Sequence, residues 1–493
     1  MEEKTTWDAV AGPSNNRIES SQPDVPQSRV DLIVLSDSAP NTDLETMSTK
    51  DGAGEKDQYY LERAPVWRAL VHLCVPMMLA LSANVIYGII NAYFIGTLHD
   101  TAMLSAIALG LPVLSLAMAI GGVFGVGGGA YISRLLGEKD TGRIKHVSAF
   151  VLYGSLLLGV ILTVICFILL NPLVHILGTD QQSFLPTQDY VSVLLLFLPV
   201  LIANFAVSQI VRAIGAARQA MNGMILSIGI NLLFDVLFIL LLHLNVTGAA
   251  LSIALSNMAS LVYYILFLQM RDGPVKLAVK YFLVTKELLK EVFGIGLSEL
   301  ILSSFLIVTT LLVNNLAVQY GDYVIAAFGV SLRIVQLPEF ICMGVFVGVM
   351  PLLGYSYGSK NSARLKAALQ QSSLAIAGIL AIFSTIVYLF RSEVFSLFSS
   401  SHDVVSFGSY ILTAMLIATL FNGFTGLIIA YFQTTNKPLQ TTIMSFAQGS
   451  LFIPVILIAQ ALLGLTGIVW SMTITEAITC LIGIGLFIFS KKK

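Results

Sequence analysis

Residues 137–145 read GEKDTGRIK, and 221 residues later, at 358–366, the chain reads GSKNSARLK, with Gly, Lys, Arg and Lys kept in register. Each nonapeptide follows one long apolar run and precedes another. RQAMNGMI from 218 aligns with KPLQTTIM from 437, and TGAALSIALSN from 247 with TGIVWSMTITE from 466, both at an offset of 219 without gaps. Matching blocks at one long period mark a duplicated unit, so the chain reads as two halves.

Between these blocks, runs of about 20 to 28 apolar residues recur from Val66 onward, each long enough to cross ~30 Å of hydrocarbon as a helix. Twelve spans are expected, at 66–95, 102–128, 144–170, 189–213, 218–242, 247–270, 287–317, 322–351, 366–390, 404–432, 437–461 and 466–490. A chain that is 56% hydrophobic and 11% charged, with mean hydropathy +0.85, carries more apolar surface than a water-soluble core of this size can hide. The expected fold class is therefore an all-α integral membrane protein with 12 transmembrane helices. Six spans per half is an even number, so both halves enter the membrane in the same sense, as two parallel six-helix bundles. In transporters built this way the sites lie near the midplane and the halves rock about them.

The domain expectation follows: a polar cytoplasmic tail at 1–60, an N-terminal bundle at 61–270, a linker at 271–285, a C-terminal bundle at 286–490 and a basic end at 491–493. The tail is rich in Ser, Pro, Asp and Glu, shows no cleavable signal peptide and reads as disordered; its apolar VDLIVL at 30–35 is too short to span. Lys and Arg fall on alternate loops. One set holds Arg134, Lys139, Arg143, Lys145, Arg212, Arg218, Arg271, Lys360, Arg364 and Lys437, whereas the other offers only Arg391. By the positive-inside rule the basic loops and both termini are cytoplasmic, in a multi-pass plasma-membrane protein.

Net charge near -1 gives no field for nucleic acid. The four cysteines sit at unrelated spacings inside apolar segments, and the six histidines form no HExxH, so neither a disulfide framework nor a metal or redox cofactor is expected. GGVFGVGGG at 121–129 lacks the Lys-Ser/Thr of a phosphate loop and ends a membrane helix, which points to close helix packing or a hinge. Without a motif for ATP use, and without the clusters a membrane enzyme needs near an interface, energy has to come from an ion gradient. Prolines at 76, 112, 199, 338 and 454 mark places where spans can bend.

Two stretches carry a family resemblance. RIVQLPEFICMGVFVGVMPLLGYSYG, from Arg333 to Gly358, resembles the RI, Gly, Gly, P-hydrophobic-hydrophobic-GYNYG pattern of prokaryotic members of the multidrug and toxic compound extrusion (MATE) family. NLLFDVLFI at 231–239 resembles that family's N-x-x-x-D-x-x-F-I. The likeness is to the damage-inducible-like branch and covers the chain from about Val66 to Phe489. It implies a V-shaped pair of bundles that exports organic molecules by antiport with protons or sodium. It also implies a cation site at Asn231 and Asp235, with a first-span position, an aspartate in the pattern, that falls here on Asn91. The sixth-span threonine of the pattern falls on Ile253, which leaves Ser252 and Ser256 as the nearest hydroxyls.

The chemistry of Asp235 suits a switch. Holding an ionised Asp at mid-bilayer costs about 2.5 to 3.5 kcal/mol, and neutralising one at pH 7 costs roughly 4 kcal/mol. The two costs are close, so a proton can be taken and released at modest expense. Sodium competes, because Asp235, the amide oxygens of Asn231 and Asn91, and Ser252 or Ser256 offer the oxygens a hard cation prefers. A structural alternative is a helix-to-helix hydrogen bond with no transport role.

In the second half, Glu299, Arg333, Glu339 and Glu476 are the candidates for a substrate site or a second coupling site. Arg333 and Glu339 lie six residues apart, about 240 degrees around a helix, and should not pair directly. Arg333 reads as structural. Glu339 either binds a cationic substrate or supplies the carboxylate missing at Asn91, unless Arg333 or a polar neighbour neutralises it. Glu476 is the repeat equivalent of Asn257 and is expected to face the other bundle or a cavity. Tyr87, Tyr93, Tyr263 and Tyr264, with Met78 and Met224, are candidates to line a permissive cavity for amphipathic organic molecules, cationic ones included. The protein is expected to act as a monomer in the lipid bilayer. The runner-up reading is a flippase for lipid-linked precursors.

Overall fold

In this computed structural model, which describes residues 52–96, 100–396 and 402–491, the described residues are helical apart from turns and the 271–285 connection, and have no strand. A short helix, α1 (Gly52–Glu62), leads into α2 (Val66–Gly96), α3 (Thr101–Glu138) and α4 (Thr141–Ile168). The first half continues with the short α5 (Leu170–Ile176), then α6 (Phe184–Leu196), α7 (Leu198–Ala213), α8 (Ala217–Asp235) and, after a π turn at Val236–Leu241, α9 (Asn245–Met270). The second half runs α10 (Lys286–Ala317), α11 (Asp322–Gly358), α12 (Ser362–Leu389), the short α13 (Arg391–Ser396), α14 (His402–Thr434), α15 (Pro438–Ser450), α16 (Phe452–Leu463) and α17 (Leu465–Lys491).

Ten spans among the described residues are long and apolar enough to cross a membrane, or eleven when α6 and α7, bent by 53°, count as one. The 32-residue α10 fills the place of the seventh expected span. The bend sits at Phe197, two residues before Pro199, which Gly159 of α4 allows to approach closely. Leu374, Leu462 and Phe489 are 72, 76 and 72% exposed, which suits lipid and not water. The polar tail before Gly52 and VDLIVL lie outside the described residues.

The repeated nonapeptides have one local structure. Lys139 and Lys360 both take the left-handed conformation, with φ of 61° and 57°, and end a helix. Asp140 and Asn361 then cap the next one, accepting from Arg143 N–H at 3.0 Å and Arg364 N–H at 2.9 Å. The other turns match as well: Gly215 with Asn436, and Asn245 with Gly464, are all at positive φ. The duplication is therefore written in the turns as well as in the spans.

At the end that carries the basic loops, the halves meet about a pseudo-two-fold axis. A Cβ on Gly137 would collide with the Tyr355 carbonyl oxygen, and one on Gly358 with the Arg134 carbonyl oxygen, a reciprocal pair under the 221-residue offset. The flanking crossings repeat the device with the glycine on opposite partners. Gly296 of α10 lies on the backbone of Val123, whereas Gly344 of α11 lies on that of Met78. The run at 121–129 serves packing: Gly121 and Gly125 admit α7, Gly128 admits Val151 of α4, and Gly127 admits the backbone of Val292. Arg134 also reaches Glu291 at 2.6 Å, and Arg143 reaches Glu287 at 3.2 Å, so charge reinforces the join.

Candidate functional site

Asp235 is the last residue of α8 and is 2% exposed. Beyond it the ladder shifts by one residue. Leu242 N–H reaches back five positions to the Leu237 carbonyl at 2.9 Å, and Leu244 N–H bonds the Phe238 carbonyl at 2.8 Å. Such π turns inside α-helices recur where a side chain has a task. The shifted backbone seats against Gly248 at the start of α9, where a Cβ would lie 2.9 Å from Phe238 Cβ.

Asn231, 4% exposed, lies one turn earlier on the same face. With its amide nitrogen toward the carboxylate, it donates to Asp235 Oδ2 and to the Tyr87 hydroxyl, both at 2.8 Å, while its oxygen accepts from Ile253 N–H at 3.2 Å. The reverse orientation sets two acceptors face to face when Asp235 is ionised. When Asp235 is protonated that orientation becomes the productive one, because a carboxyl O–H can donate to the amide oxygen. Tyr87 then donates to Asn231 Oδ1 at 2.8 Å and the amide nitrogen turns to Ser256 Oγ at 3.4 Å. Asn231 can thus serve either state of the carboxyl.

The buried Ser252 hydroxyl lies beside Asp235 and donates to the Gly248 carbonyl at 3.0 Å. Ser256 completes the shell and is otherwise bonded to the Ile253 carbonyl at 2.9 Å. The Tyr87 and Tyr190 hydroxyls are both within electrostatic reach of Asp235. Among the described residues no Lys, Arg or His pairs with it. Nor could any group of three or more His, Cys, Asp and Glu among them hold a metal ion.

The first span contributes a hydroxyl where an amide was expected. Asn91 is half-buried one turn beyond Tyr87 and adds no hydrogen bond to the cluster. Tyr190, on α6 over Gly110, joins the cluster although nothing in FLPTQDYV marks it. We expect Tyr87→Phe, which deletes one hydrogen bond of about 1 kcal/mol, to weaken apparent affinity for the coupling ion by about fivefold. Asn91→Ala should change it by less than about twofold, as an absent hydrogen bond cannot be lost. Transport measured against ion concentration checks both.

In the second half each of the three candidate carboxylates has an amide neighbour from its own half. Gln433 Nε2 donates to Glu299 Oε1 at 2.8 Å, Gln448 Nε2 donates to Glu476 Oε1 at 3.2 Å, and Asn422 of α14 lies beside Glu339. Glu476 Oε2 is buried without a partner, and Glu339 is within its electrostatic reach. The amide neighbour of Glu476 thus comes from α15. Arg333 is exposed and forms no ion pair among the described residues, so the neighbour of Glu339 is Asn422. Tyr264 is a packing residue, its hydroxyl on the Ala220 carbonyl at 2.8 Å and its ring over Gly223, with Tyr263 edge-on at 5.7 Å. The side chain of Tyr93 lies outside the described ones. Repeat positions of Asn231 and Asp235 hold Ser450 and Pro454, so the buried carboxylate site exists in one copy.

A family model described as MatE matches residues 76–237 and 295–458. The chain is 38% identical over 427 residues to a protein named multidrug export protein MepA from Staphylococcus aureus (strain MSSA476), covering 87% of this chain and 94% of that one. It is also 38% identical over 424 residues to the protein of that name from Staphylococcus haemolyticus (strain JCSC1435), with 86% and 94% covered. In fold it is similar to a MATE crystal structure in complex with MaL6, at TM-score 0.82 and 24% identity over 89% of this chain and 100% of that one. A structure titled as the outward-facing conformation of a MATE family transporter of the MOP superfamily gives 0.81 at 23% identity, over 91% and 100%. With the family model covering both halves and relatives at this identity nearly end to end, the chain belongs to the MATE family of membrane transporters.

Proposed function

We propose that this protein is a secondary active exporter of varied amphipathic organic molecules, cationic ones included, and that it exchanges them for protons. The observation that carries the reading is Asp235: one carboxylate, buried without a cation and surrounded by amide and hydroxyl groups that can reorient. The relatives named multidrug export protein support the substrate class. Asp235 is the coupling group, Asn231 follows its protonation state, and Tyr87, Ser252 and Ser256 complete the shell. Glu339, Glu299 and Glu476 form the second-half polar region, which takes the positive charge of a cationic cargo. The basic loops and both termini are cytoplasmic in this reading. A proton entering through 100 mV yields about 2.3 kcal/mol, and a tenfold concentration ratio of a neutral cargo costs about 1.4 kcal/mol. One proton thus supports export of a neutral molecule to roughly 50-fold depletion inside.

Dye efflux in membrane vesicles at fixed pH, with and without a sodium gradient, tests the choice of ion. Full activity without sodium is the expected result. Efflux that requires sodium and ignores the pH gradient would overturn proton coupling and move the same residues to a sodium site.

A further inference from the structure

Helix α1 lies across the join of the two halves at the basic end. From the second half, Arg364 of α12 places its whole guanidinium on carbonyls at the end of α1: Nε on Leu61 at 3.0 Å, Nη1 on Ala64 at 2.7 Å and Nη2 on Tyr60 at 2.8 Å. These carbonyls are the ones a helix end leaves unpaired, and a cation there meets the negative end of the dipole. From the first half, Arg271 donates from Nη1 to Asp57 Oδ2 at 2.8 Å and from Nη2 to the Gly54 carbonyl at 3.2 Å. His72 of α2 sits 3.3 Å from Asp57 Oδ1 and stacks on Tyr60 at 3.9 Å between centroids. Leu61 is buried over Gly215, whose φ of 81° turns the chain between α7 and α8.

The repeat gives this arrangement a counterpart. Arg143 occupies the position of Arg364 in the other nonapeptide, and it too reaches across the join, to Glu287 in the first turn of α10. Both arginines therefore hold the start of the opposite half, Arg364 at the segment that leads into α2 and Arg143 at the first turn of α10. Arg143 does so through an exposed ion pair, which is weak. Arg364 does so through three hydrogen bonds to a partly buried helix end.

We infer that α1 is a clasp between the halves: the basic end opens only when Arg364 releases α1, or when α1 leaves Arg271 and His72. The clasp sets how often the cleft opens to the cytoplasm. This rests on the halves parting at that end, as in the reading above, but it requires neither cargo nor ion, so an export assay can fail without touching it.

The test uses the full chain with Cys74, Cys166, Cys342 and Cys480 replaced by alanine and Ser133→Cys added. Ser133 is 2% exposed, at the join beneath Gly354. Inside-out vesicles are treated with a membrane-impermeant maleimide. Arg364→Ala should raise the labelling rate about tenfold, equivalent to about 1.4 kcal/mol. Asp57→Asn, nearly isosteric, should raise it several-fold, and Arg364→Lys should fall between parent and alanine. Parent-like labelling in both Arg364→Ala and Asp57→Asn overturns the clasp. So does an equal rise at Val151→Cys, a position buried inside the first half, since that reports general loosening.

Discussion

Gradient-driven efflux is expected to fall at least tenfold in Asp235→Asn while the protein still reaches the membrane. The two side chains have nearly the same shape. Asn231, Ser252 and Tyr87 retain something to bond, and removing a buried charge relieves the cost of holding it in hydrocarbon. What is lost is the only carboxylate of the cluster and, with it, the proton. Substrate binding in the variant should persist if, as proposed, the second-half carboxylates and not Asp235 take the charge of the cargo. Efflux equal to that of the parent would remove Asp235 from coupling.

Gly358→Val should have an effect of similar size for a mechanical reason. The added Cβ would run into the Arg134 carbonyl, and a backbone atom of a packed helix cannot step aside as a side-chain tip does. Overpacking of this kind costs about 1 to 3 kcal/mol where the contact must be kept. Here the contact is between halves, so the cheaper response is to leave the basic end parted. We expect efflux to drop about tenfold and Ser133→Cys to label faster from that side. Gly137→Val, its mate across the pseudo-two-fold axis, should behave alike, and Gly378→Ala, which meets open space, should not. Parent-like efflux with Gly358→Val would mean that closure at this contact is not part of the cycle.

Much of this was legible in residue order because it rests on local chemistry. The spans come from apolar length, and the nonapeptides from a repeated turn: a lysine in the left-handed region and an Asx cap recur together because one backbone turn demands both. Asn231 and Asp235 stand out because polar side chains in lipid are costly, and their four-residue spacing puts them on one face. Contacts between distant helices were not legible. Asn91 sits where a family pattern pointed, yet the side chain that arrives at Asn231 is Tyr87, one turn away, because helix rotation against α8 decides which position faces it. Tyr190 comes in from α6 over Gly110, a contact 80 residues apart. The π turn after Asp235 is a hydrogen-bond register that hydrophobicity does not encode. Helix α1 reads as part of a polar tail, since its partners Arg271 and Arg364 lie more than 200 positions away.

In the proposed cycle, outward movement of cargo is chemically tied to inward movement of a proton at Asp235. Proteoliposomes holding a pH-sensitive dye test it, with cargo export followed in the same vesicles. Imposing a cargo gradient alone should drive protons the opposite way in the parent and produce no proton movement in Asp235→Asn. Cargo that moves in the parent with no counterflow of protons would contradict proton exchange at Asp235.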